Sequence, residues 1–111
     1  MTMRSPSRRE ARKPLDVYLN KFIGEEPYMV RAADISTSGI FLYKLIEPNL
    51  SEGTKVNLEF MLPTSSEVLW ACGEVVREDA KRGANGIGIG FTVLPDTYRK
   101  LIERYIHPQG H

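Results

Sequence analysis

Two parts of this sequence, an arginine pair near the N-terminus and a polar segment some twenty residues later, could bind an anion. Arg8 and Arg12 are four positions apart, so their side chains lie on the same side of an extended segment or a helical turn. A guanidinium donates a fork of N–H bonds that fits phosphate oxygens and also the O6/N7 edge of guanine. The spacing predicts that both arginines grip one ligand; the alternative is a solvated basic tail.

The polar segment runs from Asp34 to Gly39 and reads Asp-Ile-Ser-Thr-Ser-Gly. Asp34 and Ser36 are two positions apart at the end of a predicted strand, so their side chains face the same way. A carboxylate accepts hydrogen bonds from guanine N–H groups, and a hydroxyl can donate or accept beside it. Gly39 permits a positive φ or a close backbone approach. The alternative is an ordinary turn, since Asp, Ser and Gly are common turn residues.

Charge is distributed unevenly along the chain of 111 residues. Residues 1–13 contain five basic residues and one acidic residue, whereas the rest contains ten basic and 13 acidic residues. Residues 1–13 also show no strand or helix period, which predicts a basic arm that is flexible without ligand. We therefore divide the chain into this arm, a folded domain over residues 14–106 and a tail over residues 107–111.

Short alternating runs of apolar residues predict six strands within the folded domain. One strand begins at Leu15 and ends near Gly24, and the others are Tyr28–Ile35, Gly39–Tyr43, Val56–Leu62, Val68–Arg77 and Gly86–Val93. A helix should follow, because Tyr98, Leu101, Ile102 and Tyr105 recur at helical spacing after Asp96, a candidate N-cap. The pattern predicts an all-β fold, a six-stranded antiparallel barrel with one C-terminal helix covering an opening.

Three glycines alternate within the segment Gly86–Phe91, which raises the alternative of a phosphate-binding loop. A dinucleotide fingerprint requires a strand, then the glycines, then a helix directly afterwards. Here the glycines alternate with Ile87 and Ile89 inside a predicted strand. We interpret them as a face without side chains that another element can approach closely.

Catalysis and metal binding find little support in the composition. The only histidines, His107 and His111, lie near the C-terminus, and Cys72 is the only cysteine. The sequence predicts neither an enzyme nor a metal site, and no cofactor is expected. There is no signal peptide and no apolar run of the roughly 20 residues that span a bilayer. We expect a cytoplasmic protein without membrane insertion.

The order and spacing of these features closely resemble the PilZ domain family. The signature of that family is R-x-x-x-R, then about twenty residues, then [D/N]-x-S-x-x-G, on a six-stranded barrel with a C-terminal helix. Here the first motif is Arg8 to Arg12, and Asp34 follows Arg12 by 22 positions in the second. Flanking segments also match, including Gly39-Ile-Phe-Leu after the turn and Gly88-Ile-Gly-Phe before the helix.

The resemblance implies that the chain binds cyclic di-GMP, a bacterial second messenger with two guanines on a doubly negative ring. By this resemblance Arg8 and Arg12 hold guanine edges and phosphates, and Arg9 is an accessory contact. Asp34 and Ser36 hydrogen-bond guanine, and Gly39 keeps the turn open. The arm would fold across the ligand and change how an unidentified effector protein docks, so that the chain acts as a receptor and adaptor.

Two other functions remain open at this point. A nucleic-acid-binding barrel would place the basic arm on phosphates and stack bases on Phe41 and Tyr43. The net acidic charge of the remaining chain argues against nucleic acid. A protein-interaction domain could instead keep the motif without binding any ligand.

Overall fold

The computed structural model describes residues 11–43, 51–78 and 86–108. In these ranges six antiparallel strands form a closed barrel, a two-residue strand lies beside them, and one helix follows. The elements are β1 (Lys13–Pro14), β2 (Tyr18–Ile23), β3 (Glu26–Ile35), β4 (Gly39–Tyr43), β5 (Lys55–Met61), β6 (Val68–Glu78), β7 (Gly86–Val93) and α1 (Asp96–Ile106). The predicted barrel with a C-terminal helix is confirmed.

The barrel closes at β3, which pairs with strands on both of its sides. The order around the wall is β3-β2-β5-β6-β7-β4, and β4 pairs with β3 to complete the circle. Asp34 of β3 is opposite Phe41 of β4 on one side and Pro14 of β1 on the other. Leu15 and Val17 continue the backbone hydrogen bonding to β3 between β1 and β2. The predicted first strand, which begins at Leu15, is therefore observed as the regular strand β2 only from Tyr18 onwards.

Alternation along the strands decides which side chains fill the barrel. In β5, Val56, Leu58 and Phe60 are buried while the residues between them are exposed. The central apolar cluster comprises Leu15, Leu19, Val30, Ala32, Ile35, Ile40, Leu42, Val56, Leu58, Phe60, Leu62, Leu69, Val75, Ile87, Ile89, Ile102 and Tyr105. Lys21 shares the inward face of β2 with Leu19 and is fully buried.

Helix α1 packs on the barrel through Ile102 and Tyr105, as its apolar period predicts. The prediction that Asp96 caps the helix is wrong by one position, because Pro95 is the N-cap and no side chain caps it. Asp96 is instead the first helical residue, and its carboxylate lies 3.5 Å from Lys100 Nζ one turn later. Within the described ranges, no helix is both long and apolar enough to cross a membrane.

The glycines of β7 lie on the outer side of the barrel wall, since Ile87 and Ile89 point into the core. Phe41 of β4 covers this glycine surface, and a Cβ atom on Gly86 would overlap its ring. Phe41 is only 5% exposed as a result. The alternating glycines thus let a neighbouring aromatic ring approach the backbone, in agreement with the architectural interpretation.

Candidate ligand-binding site

The segment between β3 and β4 forms a tight turn that is held by its own hydrogen bonds. Ser36 N–H donates to Gly39 O over 2.9 Å, and Ser38 N–H donates to Ser36 Oγ over 3.2 Å. Ser36 is fully buried and Asp34 is 9% exposed. The polar side chains of this turn are therefore fixed by packing and backbone geometry before any ligand arrives.

Arg12 lies against this turn and contacts both of the predicted polar residues. Its Nε and Nη2 donate to Asp34 Oδ1 over 2.8 and 2.6 Å. Its Nη1 donates to Ser36 Oγ over 3.3 Å. The structure thus brings together three residues that the sequence separates by up to 24 positions. These three hydrogen bonds to a carboxylate and a hydroxyl fix the orientation of the guanidinium.

Strand β1 explains why Arg12 reaches the turn. Lys13 and Pro14 pair with Ile35 and Asp34, so the residue before β1 is carried alongside the end of β3. Lys13, the last residue of the predicted arm, therefore belongs to the sheet. Arg12 is fixed to the barrel by this pairing as well as by its ion pair.

Helix α1 holds the same segment from the other side. Tyr105 Oη donates to Pro14 O over 2.6 Å, and Lys13 Nζ donates to Tyr105 O over 3.0 Å. The Lys13 ammonium also lies 4.4 Å from the centre of the Tyr105 ring. Burial raises the pKa of the Tyr105 hydroxyl above its ordinary value, so the group keeps its proton and donates at neutral pH.

Sequence reasoning missed these helix contacts. Tyr105 is identifiable in the sequence only as an apolar position of the helix, and Pro14 lies 91 residues away from it. A second contact joins the helix to the turn, where Arg99 Nη1 lies 3.5 Å from Thr37 O. One helix therefore touches both the turn and the segment that carries Arg12.

Of the other predicted site residues, the structure describes Gly39 but neither Arg8 nor Arg9. Gly39 is buried, begins β4 and pairs with Gly90 of β7. Its φ is not positive, so the left-handed backbone that a glycine permits is not used at this position. Arg8 and Arg9 lie outside the described residues.

A groove of about 510 Å³ adjoins the turn at Ser38. Its lining includes the carboxylates of Glu52 and Glu74 and a floor of backbone at Gly53 and Gly90. Ser38 thus connects the turn to a groove lined by two glutamates, of which Glu74 lies 3.8 Å from Lys55 Nζ. Over the described part of the chain, no group of three or more His, Cys, Asp or Glu side chains is placed to hold a metal ion.

The closed barrel carries the polar turn and the arginine beside it at one edge of the sheet, next to the C-terminal helix. A family model described as the PilZ domain matches residues 6–107. The chain belongs to the PilZ domain family, whose domains are ligand-binding receptor domains. A comparison with curated protein sequences found no significant match.

Solved structures show the same fold at low sequence identity. The inhibitor of motility MotI/DgrA of Bacillus subtilis superposes with a TM-score of 0.79 at 16% identity, over 94% of this chain and 51% of that one. The PilZ domain of YcgR from Escherichia coli, solved with c-di-GMP, gives 0.64 at 15% identity over 93% and 91%. The MrkH–c-di-GMP complex of K. pneumonia gives 0.68 at 19% identity over 94% and 52%. This chain thus spans about half the length of MotI and of MrkH.

Proposed function

We propose that this domain is a receptor for cyclic di-GMP that binds the ligand at the turn between β3 and β4. The observation that carries the proposal is the guanidinium of Arg12, held by Asp34 and Ser36 at the surface of the barrel. Family membership and the c-di-GMP complexes of YcgR and MrkH support it. The proposed contact residues are Arg8, Arg9, Arg12, Asp34, Ser36 and Gly39.

Arg12 can contact a ligand without giving up its contacts within the protein. A guanidinium has five N–H donors, and the structure uses three of them, on Nε, Nη1 and Nη2. Two donors remain for a phosphate oxygen or for the O6/N7 edge of guanine. Asp34 would then orient Arg12 as well as accept hydrogen bonds from a guanine.

The charges around the turn favour one orientation of the ligand. The phosphates of cyclic di-GMP are anionic and are favoured beside Arg12, whereas the Glu52 carboxylate in the groove repels them. Guanine N1–H and N2–H₂ groups are donors that carboxylates accept. We expect the phosphates on the Arg12 side and a guanine edge towards the groove.

The signal would pass through the segment that precedes Arg12. The basic residues Arg8 and Arg9 are proposed to close over the ligand, because their charge complements its two phosphates. Ordering each residue costs about 1–2 kcal/mol, which charge-assisted contacts of about 1.5–3 kcal/mol must exceed. A modest surplus gives an expected Kd near or below about 1 μM. The closed arm would then change how a partner protein docks.

The nucleic-acid alternative loses one of its two stacking candidates. Phe41 is only 5% exposed. Tyr43 is half-buried, and the Arg31 guanidinium lies 5.4 Å from its ring centre. Base stacking on successive aromatic residues requires exposed rings. The burial of Phe41 therefore argues against base stacking on the predicted pair of rings.

Isothermal titration of the whole chain with cyclic di-GMP tests the proposal. We expect saturable binding by the wild type and a loss of at least about 100-fold in affinity for the double variant Arg8→Ala/Arg12→Ala. Arg31→Ala is the matched control, because it also removes an arginine paired with an aspartate, on the outer wall. It should retain wild-type affinity. Arg12→Lys keeps the charge but loses the fork, and it should also bind weakly.

Each competing function predicts a different titration. A wild type that releases no heat and shows no ligand-dependent rise in Tm identifies an interaction domain without ligand. Wild-type affinity in the double variant contradicts the arginine contacts. Tight binding of an unrelated single-stranded oligonucleotide with a steep salt dependence identifies the nucleic-acid function.

A further inference from the structure

The outer wall formed by β3, β2, β5 and β6 exposes apolar side chains where a solvated sheet face would carry polar ones. The exposed fractions are 64% for Tyr18, 66% for Met29, 47% for Met61, 52% for Val68 and 46% for Trp70. We call these residues, together with Glu59 between them, the β2–β5 face. It is distinct from the ligand site, which lies at the turn between β3 and β4.

Strand pairing makes this face continuous across four strands. In one row across the sheet, Met29 is opposite Asn20, Asn20 is opposite Glu59, and Glu59 is opposite Trp70. In the neighbouring row Met61 is opposite Val68. A shallow groove of about 240 Å³ runs over these residues other than Trp70. This volume is below the roughly 300–1,000 Å³ of small-molecule sites, so the face suits side chains of another protein.

A carboxylate without an ion pair lies in the middle of this apolar surface. Glu59 is exposed, and no ion pair or side-chain hydrogen bond joins it to another residue of the described ranges. The cations at the edges of the face are engaged, since Arg31 pairs with Asp16 and Lys55 lies 3.8 Å from Glu74. The negative charge of Glu59 is therefore complementary to a cation on a partner molecule.

The chemistry around Glu59 favours a particular kind of partner. Trp70 is held edge-on by Tyr98 of α1, with ring centres 6.1 Å apart, and so offers a fixed aromatic surface beside the carboxylate. A guanidinium can pair with a carboxylate while stacking on an indole ring. Met29 and Met61 are flexible and adapt to neighbouring apolar side chains. Tryptophan, tyrosine and arginine also dominate binding energy at protein interfaces.

We propose that the β2–β5 face docks a protein segment that presents an arginine or lysine between apolar side chains. The cation pairs with Glu59 and packs on Trp70, and the flanking apolar residues cover Met29, Met61 and Val68. This surface does not depend on the proposed receptor function, because none of its residues belongs to the ligand site.

Selection of short random peptides displayed on phage against the whole ligand-free chain tests the proposal. Enriched peptides should carry a basic residue flanked by apolar residues. Synthetic copies should bind Glu59→Gln about tenfold more weakly than the wild type, since one charge-assisted contact is lost. Met61→Ser should weaken binding too. Glu103→Gln, an exposed glutamate on α1, should not.

Other results would overturn the proposal. Enriched peptides without a basic residue, equal affinity for Glu59→Gln, or no enriched peptide at all would each do so. The face could instead join two copies of this chain. Sedimentation would reveal this self-association if the wild type were a dimer and Glu59→Lys a monomer. That result would contradict docking of a cationic segment from another protein. Thermal melts of each variant separate these outcomes from misfolding. We expect little change in Tm, because the side chains of Glu59, Met61 and Glu103 are all on the outer surface.

Discussion

Two arginine–aspartate pairs in this barrel have nearly the same Nε–Oδ1 distance and very different surroundings. Arg12 Nε lies 2.8 Å from Asp34 Oδ1, and Arg31 Nε lies 2.7 Å from Asp16 Oδ1. The side chains of the first pair are 22% and 12% exposed, whereas those of the second are 46% and 76% exposed. Nearly the same Nε–Oδ1 distance therefore occurs once in a mostly buried setting and once in an exposed one.

The difference arises from what surrounds each pair. Water and salt screen the Arg31 pair, although its hydrogen bond to Asp16 raises the pKa of the guanidinium above its ordinary value. Arg12 is held instead by Ser36 as well as by Asp34, and its neighbour Lys13 is fixed by helix α1. Only the Arg12 pair therefore keeps its remaining donors in a fixed direction, which is what recognition of a rigid ligand requires.

Removing the carboxylate from each pair should give the largest contrast. Asp34→Ala leaves the mostly buried Arg12 without its ion-pair partner and should lower the free energy of unfolding by about 2 kcal/mol. It should also weaken cyclic di-GMP binding about 100-fold, because a guanine acceptor and the support of Arg12 are lost together. Asp16→Ala should leave both quantities unchanged. Urea unfolding and calorimetric titration measure them, and equal effects of the two variants would contradict the distinction.

The hydroxyl that completes the buried pair should have a smaller effect. Ser36→Ala removes the acceptor for Arg12 Nη1 and for Ser38 N–H, which should lower the free energy of unfolding by about 1 kcal/mol. Ligand affinity should fall roughly fivefold. Ser65→Ala is the control, since that hydroxyl accepts a similar backbone hydrogen bond in an exposed turn. A Ser36 variant as stable as the Ser65 variant would show that the buried hydroxyl does not support Arg12.

The helix contact should have the smallest effect on the ligand. Tyr105→Phe removes the hydrogen bond to Pro14 O and should destabilise the fold by about 1 kcal/mol. Cyclic di-GMP should bind about threefold more weakly, because the segment carrying Arg12 is less firmly fixed. Tyr98→Phe keeps the ring contact with Trp70 and should change neither quantity. Thermal melts and titration of the two variants distinguish a positioning role from a general loss of packing.

The sequence predicts the barrel well because its strands alternate cleanly. The pattern of Val56, Leu58 and Phe60 corresponds to the observed inward face, and the glycines of β7 lie where an approaching ring needs them. The association of Asp34 with Ser36 follows equally from their position at a strand end. These features depend on local periods and turn chemistry, which a single sequence contains.

What could not be predicted depends on contacts between distant segments. Charge and missing periodicity assign Arg12 to the arm, but they do not reveal its hydrogen bond to Asp34 or the two-residue strand that follows it. The exposure of Met29 and Trp70 follows from register across four strands and not from either strand alone. The helical period identifies Tyr105 only as an apolar position. Its hydrogen bond to Pro14 O depends on how the helix packs against the barrel, which the period does not indicate.

The most direct test of the central claim is the NMR signal of the arginine Nε–H groups, recorded in the free protein and with saturating cyclic di-GMP. We expect a slowly exchanging Arg12 Nε–H before ligand is added, which persists and shifts on binding, while the exposed Arg31 Nε–H exchanges quickly and stays unchanged. Assignment by Arg12→Lys and Arg31→Lys identifies the two signals. An Arg12 signal that exchanges as fast as that of Arg31 in the free protein, or one that saturating ligand leaves unshifted, would contradict a preformed site at Arg12.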